Sequence, residues 1–219
     1  MLSKLNPHLV AVPSARPIPA SMPATAPPPI ASRSPLPSTL RAAGPRVSLV
    51  PLAARDAAAL LAVSPPAVLR EVRVSPWRDE RDARAWLLRR CGDGEHTVYG
   101  VHEAGPALVG AGAVRRVDGL ASLLYWIAPA HQGARRGSAA AALLLAAALG
   151  AGEDEVWTCV LPGNLRSLRI LRRLEFRPAA RRPDGLLYLR RGPAPATPGA
   201  VRDALARLTR RPPNRCMEG

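Results

Sequence analysis

With 219 residues, 47% of them hydrophobic, and a formal net charge of +15, the chain has material for one domain with a sizeable core plus tails. Three cysteines (Cys91, Cys159, Cys216) and four histidines (His8, His96, His102, His131) are scattered without metal-ligand spacing, and the odd cysteine count excludes a fully paired disulfide framework. No structural metal is expected, and a reducing cytoplasm is the expected location.

Residues 1–45 are rich in proline, alanine and serine, as in "PIPASMPATAPPPIASRSPLP", and the first acidic residue is Asp56. Proline fixes φ and removes a backbone donor, so an extended, disordered arm is expected here. Serine and arginine without acids also characterise transit peptides, but the prolines forbid the amphipathic helix that those require.

From residue 46 the texture changes. "VSLVPL" (47–52) predicts a strand and "ARDAAALLAV" (54–63) a helix. "DERDARAWLLRR" (79–90) predicts a second helix, with acids leading and arginines trailing as the helix dipole favours. Three strands follow over 96–104, 107–117 and 119–129, separated by Gly105-Pro106 and Asp118-Gly119, and such short links make the pairings antiparallel. A helix apolar almost all round is predicted over 137–149; the apolar run from Ala139 to Gly152 is too short to cross a bilayer and belongs in a core. A strand (155–161), a helix (164–174) and a hairpin (176–191) around Pro183-Asp184-Gly185 complete a mixed α/β domain over 46–191. Residues 192–219 form a linker and a basic tail, whose short helical patch at 201–211 is expected to be solvated.

The stretch from Gln132 through Gly133, Ala134, Arg135, Arg136 and Gly137 to Ser138 joins the end of a strand to the start of the apolar helix. Amide hydrogens without partners and the positive end of the helix dipole make such a junction a site for an anion, and the glycines keep side chains out of the way. An ordinary solvated turn has the same composition, so both readings stand at this point.

Gln-Gly-x-x-x-Gly heading an apolar helix, preceded by "YWIAP" (125–129) and followed by "NLRSLRILRRLEF" (164–176), resembles the GNAT superfamily of acetyl-CoA-dependent N-acetyltransferases. The likeness is to the Rim-type subgroup that acetylates ribosomal-protein amino termini, whose members read Y-W-x-x-P, Q-G-x-G-x-A/G and N-x-x-S followed by Gly-Phe. It covers about residues 46–191. Two positions depart from it: the central glycine of the loop falls at Arg135, and the glycine of the Gly-Phe pair falls at Glu175, before Phe176.

The resemblance implies a central, mostly antiparallel twisted sheet of about six to seven strands with splayed middle strands and about four flanking helices. It implies direct transfer of an acetyl group from acetyl-CoA to a primary amine, of a protein amino terminus or a small molecule, within a ternary complex. Gln132 to Ser138 would bind the diphosphate. Backbone groups of Ile127 and Ala128 would hold the pantetheine arm and polarise the thioester carbonyl. Asn164 would bond the pantetheine amides as well as cap its helix, and Ser167 would give a proton to the departing thiolate. The tyrosine that many relatives use as this acid falls at Leu171, which cannot serve. Glu71, Asp79, Glu80, His102 and Glu103 are candidates for the base that accepts the amine proton, and Trp77 is a candidate substrate contact.

No metal and no membrane partner are expected, and the protein would act as a monomer or homodimer. Two other readings remain: a GNAT fold that has lost catalysis at Arg135 and Glu175 and serves as a binding module, and an RNA-associating protein. Contact with RNA or the ribosome would use the basic surface, although Lys4 is the one lysine among 31 basic residues, a bias that genomic composition also produces. With one Phe and three Tyr, the chain lacks the aromatic platforms of RNA-binding sheets.

Overall fold

The computed structural model describes residues 40–41, 47–103, 105–192 and 197–209. Apart from Leu40–Arg41, the arm expected over 1–45 lies outside the described residues, as do 193–196 and 210–219. The described strands are β1 (Leu40–Arg41), β2 (Ser48–Pro51), β3 (His96–His102), β4 (Leu108–Val117), β5 (Leu120–Ile127), β6 (Val156–Val160), β7 (Arg177–Arg181) and β8 (Leu187–Arg191). They form one sheet in the order β1-β2-β3-β4-β5-β6-β8-β7. Every neighbouring pair is antiparallel except β5 and β6, which run parallel through the crossover helix. This is the mixed α/β architecture that the element order predicts, with the parallel pair in the middle of the sheet.

The helices are α1 (Ala57–Ala62), α2 (Pro66–Glu71), α3 (Glu80–Gly92), α4 (Arg136–Gly150), α5 (Leu165–Arg173) and α6 (Pro198–Thr209). On one face of the sheet α4 and α5 bury Leu144, Leu171 and Phe176 against Tyr99, Leu123 and Val160. On the other, α1, α2 and α3 bury Leu60, Leu69 and Leu87 against Val98, Ala113 and Trp126. The alternation along β5 serves both layers: Leu123 and Ile127 face the first, Leu124 and Trp126 the second. Trp77, expected as a substrate contact, is buried here instead, with its ring 5.2 Å from that of Trp86 and 6.4 Å from that of Trp126.

Two helices depart from the expectation. α2 was not predicted, although Pro66 at its first turn sits where proline needs no amide donor. α6 is not a solvated patch. Its Val201, Ala204, Leu205 and Leu208 recur at helical spacing and pack on Leu120, Trp157, Leu186 and Tyr188. The Arg115 guanidinium donates to the Leu208 carbonyl at 2.6 Å, and that of Arg207 to the Asp118 carbonyl at 2.8 Å, which ties the last turn of α6 to the sheet. Among the described residues no group of three or more His, Cys, Asp or Glu could hold a metal ion, and no helix is long and apolar enough to cross a membrane.

Candidate active site

Parallel pairing of β5 with β6 covers only Ala121 with Val156, Ser122 with Trp157 and Leu123 with Thr158. At the fork the Thr158 hydroxyl donates to the Leu123 carbonyl at 3.0 Å, and beyond it Leu124 to Ile127 turn away from β6. β5 is held on its other side by β4, where the Ala128 amide donates to the Val109 carbonyl at 2.9 Å. By the alternation of an antiparallel ladder, the amide and carbonyl of Ile127 then point into the gap. Gln132 Nε2 donates to that carbonyl at 3.1 Å, which leaves the Ile127 N–H facing the gap. Of the two strand-end residues expected to meet the ligand, Ile127 offers its amide hydrogen; that of Ala128 is engaged by the sheet. The close approach needs Gly110, because a Cβ there would lie 2.2 Å from the Trp126 carbonyl oxygen.

Past the gap, Gly133, Ala134 and Arg135 take positive φ values of 98°, 41° and 60° before α4 begins. Successive left-handed residues turn their N–H groups to one side, the arrangement of an anion nest. Among the described residues the amides of Gly133, Ala134, Arg135, Gly137 and Ser138 have no protein acceptor, and they stand at the positive end of a fifteen-residue helix. This set fits a diphosphate. Arg135 adopts the left-handed backbone that glycine would supply, at a cost of about 1 kcal/mol, and its side chain is exposed on the wall of a cavity of about 1120 Å³. The same substitution in kind occurs at Glu175, φ 65°, so both departures from the glycine pattern keep the glycine geometry. Arg166, Arg169 and Arg173 of α5 line the same cavity. Arg136 does not: its guanidinium reaches back to Glu103 at 2.5 Å and to the His131 carbonyl at 3.2 Å, and its amide donates to the Gly133 carbonyl at 3.1 Å.

Asn164 caps α5, its Oδ1 accepting from the Ser167 amide at 3.0 Å, and both residues line the cavity. What Ser167 meets is not legible in the sequence. The Tyr125 hydroxyl, from the end of β5, donates to Ser167 Oγ at 3.4 Å, and burial raises the pKa of this tyrosine above its ordinary value. Leu171, where the resemblance would place a tyrosine, is fully buried in the core. Of the candidate bases, Asp79 caps α3 by accepting from the Asp82 amide at 2.9 Å, and Glu80 pairs with Arg84 at 2.7 Å. Glu103 is held by Arg136, and His102 Nδ1 lies 3.0 Å from the Pro106 carbonyl oxygen. Glu71, at the end of α2, remains: it lines the cavity beside Tyr125 and Ser167.

Outside the gap, the side chain of His96 is buried. His96 Nδ1 lies 2.7 Å from Asp93, with only 5% of its side chain exposed, and burial together with the neighbouring Arg90 lowers its pKa to about 4. The unfolded chain therefore binds more protons here between about pH 4 and 6.5, so the stability contributed is complete above pH 6.5 and lost as pH falls toward 4. Denaturant titrations across this window should show that loss, and His96→Asn should remove its His-dependent part; an unchanged slope in the variant would refute it.

A family model for the acetyltransferase (GNAT) domain matches residues 46–177. No curated protein matches the sequence. Among solved structures, a probable GNAT-family acetyltransferase from Chromobacterium violaceum is similar at a TM-score of 0.61 and 23% identity, over 81% of this chain and 96% of that one. Mycobacterium smegmatis RimJ in complex with CoA-disulfide is similar at 0.57 and 21% identity, over 78% and 96%. The yncA protein of Salmonella typhimurium, solved with its cofactor acetyl-CoA, is similar at 0.56 and 22% identity, over 69% and 98%. At these identities the likeness is one of fold.

Proposed function

The chain belongs to the GNAT acetyltransferase family, and from that premise we propose that it moves the acetyl group of acetyl-CoA directly to the amine of a protein amino terminus. One observation carries this reading. The large cavity beside the anion nest and a second cleft of about 340 Å³ share Glu71, Val72, Tyr125, Asn164 and Ser167 as wall. The shared wall lies at the gap between β5 and β6, so two ligands entering from different cavities would meet there.

Acetyl-CoA supplies the activated acyl group. The amides of Gly133, Ala134, Arg135, Gly137 and Ser138 hold its diphosphate, with Arg135 and Arg166 beside them as charge-assisted donors. The Ile127 amide donates to the thioester oxygen as negative charge develops there. Glu71 takes the proton from the attacking amine, and Ser167 gives one to the leaving thiolate, itself accepting from Tyr125. Arg135 and Glu175 favour an active enzyme over a degenerate module, because each supplies the left-handed backbone of the glycine it replaces. The unpaired thiols Cys91 and Cys159 suit a reducing cytoplasm.

Thermal unfolding of the full chain tests the reading. Its midpoint should rise with the logarithm of acetyl-CoA concentration above Kd. No shift at millimolar acetyl-CoA would overturn the proposed enzyme.

A further inference from the structure

The second cleft runs along the face of the sheet between α3 and the docked end of α6. Trp86, Arg90, His96, Arg115, Ser122 and Leu208 form its far wall, and Glu71, Tyr125 and Ser167 its near end. Register sets the distance between the two. Ser122 lies opposite Arg115 and Arg115 opposite His96, while Tyr125 is three residues farther along β5, about 10 Å at strand spacing. That is the reach of the first few residues of an extended peptide whose amine stands at Glu71.

The two arginines of the far wall differ. Arg115 pairs with Glu95 at 2.8 Å and donates to the Leu208 carbonyl, so its charge is answered within the fold. Arg90 is answered only at longer range, by the charges of Asp93 and Glu95. It donates to Nε2 of His96 and lies over the Trp86 ring at 5.8 Å, and among the described residues no carboxylate comes within ion-pair distance. His96 does not offset the charge, because its Nε2 accepts from Arg90 while Nδ1 engages Asp93; burial keeps the imidazole neutral near pH 7. Asp93 stands behind that ring, accepting also from the Glu95 and His96 amides at 2.9 and 3.0 Å, and neither Asp93 nor Glu95 forms part of the cleft wall. A half-buried guanidinium is costly without a carboxylate in contact. The wall that lacks one is the wall an acceptor would touch.

We propose that Arg90 binds an anionic group carried by the acceptor, so that this enzyme selects amino termini with an acidic side chain within their first few residues. The inference rests on the proposed acetyltransfer reaction, and its test separates the two. The full chain, loaded with CoA, is titrated calorimetrically with three short peptides that share a first residue and differ downstream in glutamate, glutamine or lysine. The glutamate peptide should bind about 10- to 100-fold more tightly than the glutamine peptide, the range of one charge-assisted hydrogen bond, and the lysine peptide more weakly still. Arg90→Met should erase the preference while leaving the glutamine peptide and the acetyl-CoA thermal shift unchanged, and Arg90→Lys should keep part of it.

Equal affinities of the glutamate and glutamine peptides for the unaltered protein would overturn the proposal, whatever the variants do. So would a preference that survives Arg90→Met in a variant with an intact acetyl-CoA shift. Turnover of the same peptides with acetyl-CoA is the separate readout: selective binding with no acetylation of any peptide would leave the Arg90 site standing and remove the proposed reaction.

Discussion

Replacing Ser167 by alanine is expected to lower kcat by about 10²- to 10⁴-fold, the range for a lost general acid, with little change in acetyl-CoA affinity. Two hydrogen bonds fix the serine. Its amide is tied to Asn164 Oδ1 at 3.0 Å, which fixes the first turn of α5 against the gap. Its oxygen accepts from Tyr125 at 3.4 Å, which leaves the serine hydrogen to point at a third atom. Burial raises the pKa of the Tyr125 hydroxyl above its ordinary value, so the pair holds two protons in series where the proposed mechanism puts the leaving thiolate. Tyr125→Phe removes only the outer donor and should cost about 2- to 10-fold in kcat, the value of one neutral hydrogen bond. Steady-state and single-turnover kinetics with acetyl-CoA decide it. A Ser167→Ala enzyme that turns over at the original rate would remove Ser167 from the proton path.

The second large effect is on stability. Arg116→Ala should destabilise the fold by about 3–5 kcal/mol, as removal of one partner from a buried ion pair does. Glu153, whose side chain is fully buried, accepts from Arg116 at 2.8 Å. It also closes the end of α4, its amide donating to the Ala148 carbonyl at 3.1 Å behind left-handed Gly152, so the pair pins the helix exit to β4. Without the guanidinium, a carboxylate must either stay buried with reduced compensation or take up a proton. Urea unfolding of the single variants and of Arg116→Met with Glu153→Leu measures the coupling. The double variant should recover most of the loss, since an apolar pair of similar volume avoids desolvating two charges. A loss of under about 1 kcal/mol in Arg116→Ala, the range of an exposed pair, would contradict this assignment.

Several features were legible because they depend on neighbours along the chain. Asn164 and Ser167 stand three residues apart in a cap, and Gln132 to Gly137 make a strand-to-helix junction, so both were visible as local patterns. The alternation of β3, β4 and β5 and the apolar surface of α4 likewise follow from side-chain periodicity. Even α6 carries its docking face in the spacing of Val201, Ala204, Leu205 and Leu208; what the sequence lacked was any sign of the Trp157 and Tyr188 surface that receives it.

By itself, then, the chain of residues marked most of the helices and strands, α2 and β1 excepted, together with the order that makes the sheet mixed and a strand-to-helix junction able to hold an anion. Only the tertiary structure decided which residues meet at the gap. Tyr125 and Ser167 are 42 positions apart and come together because β5 leaves β6 while α5 packs across the opening. Packing also placed Glu71, alone of the five candidate bases, on the cavity wall, withdrew Arg136 to Glu103, engaged the Ala128 amide with Val109, and left Arg90 with no carboxylate in contact. The division has one physical cause. Backbone propensity and caps act over a turn or two of chain, whereas the environment of a functional group is set by whatever distant surface the folded core brings against it.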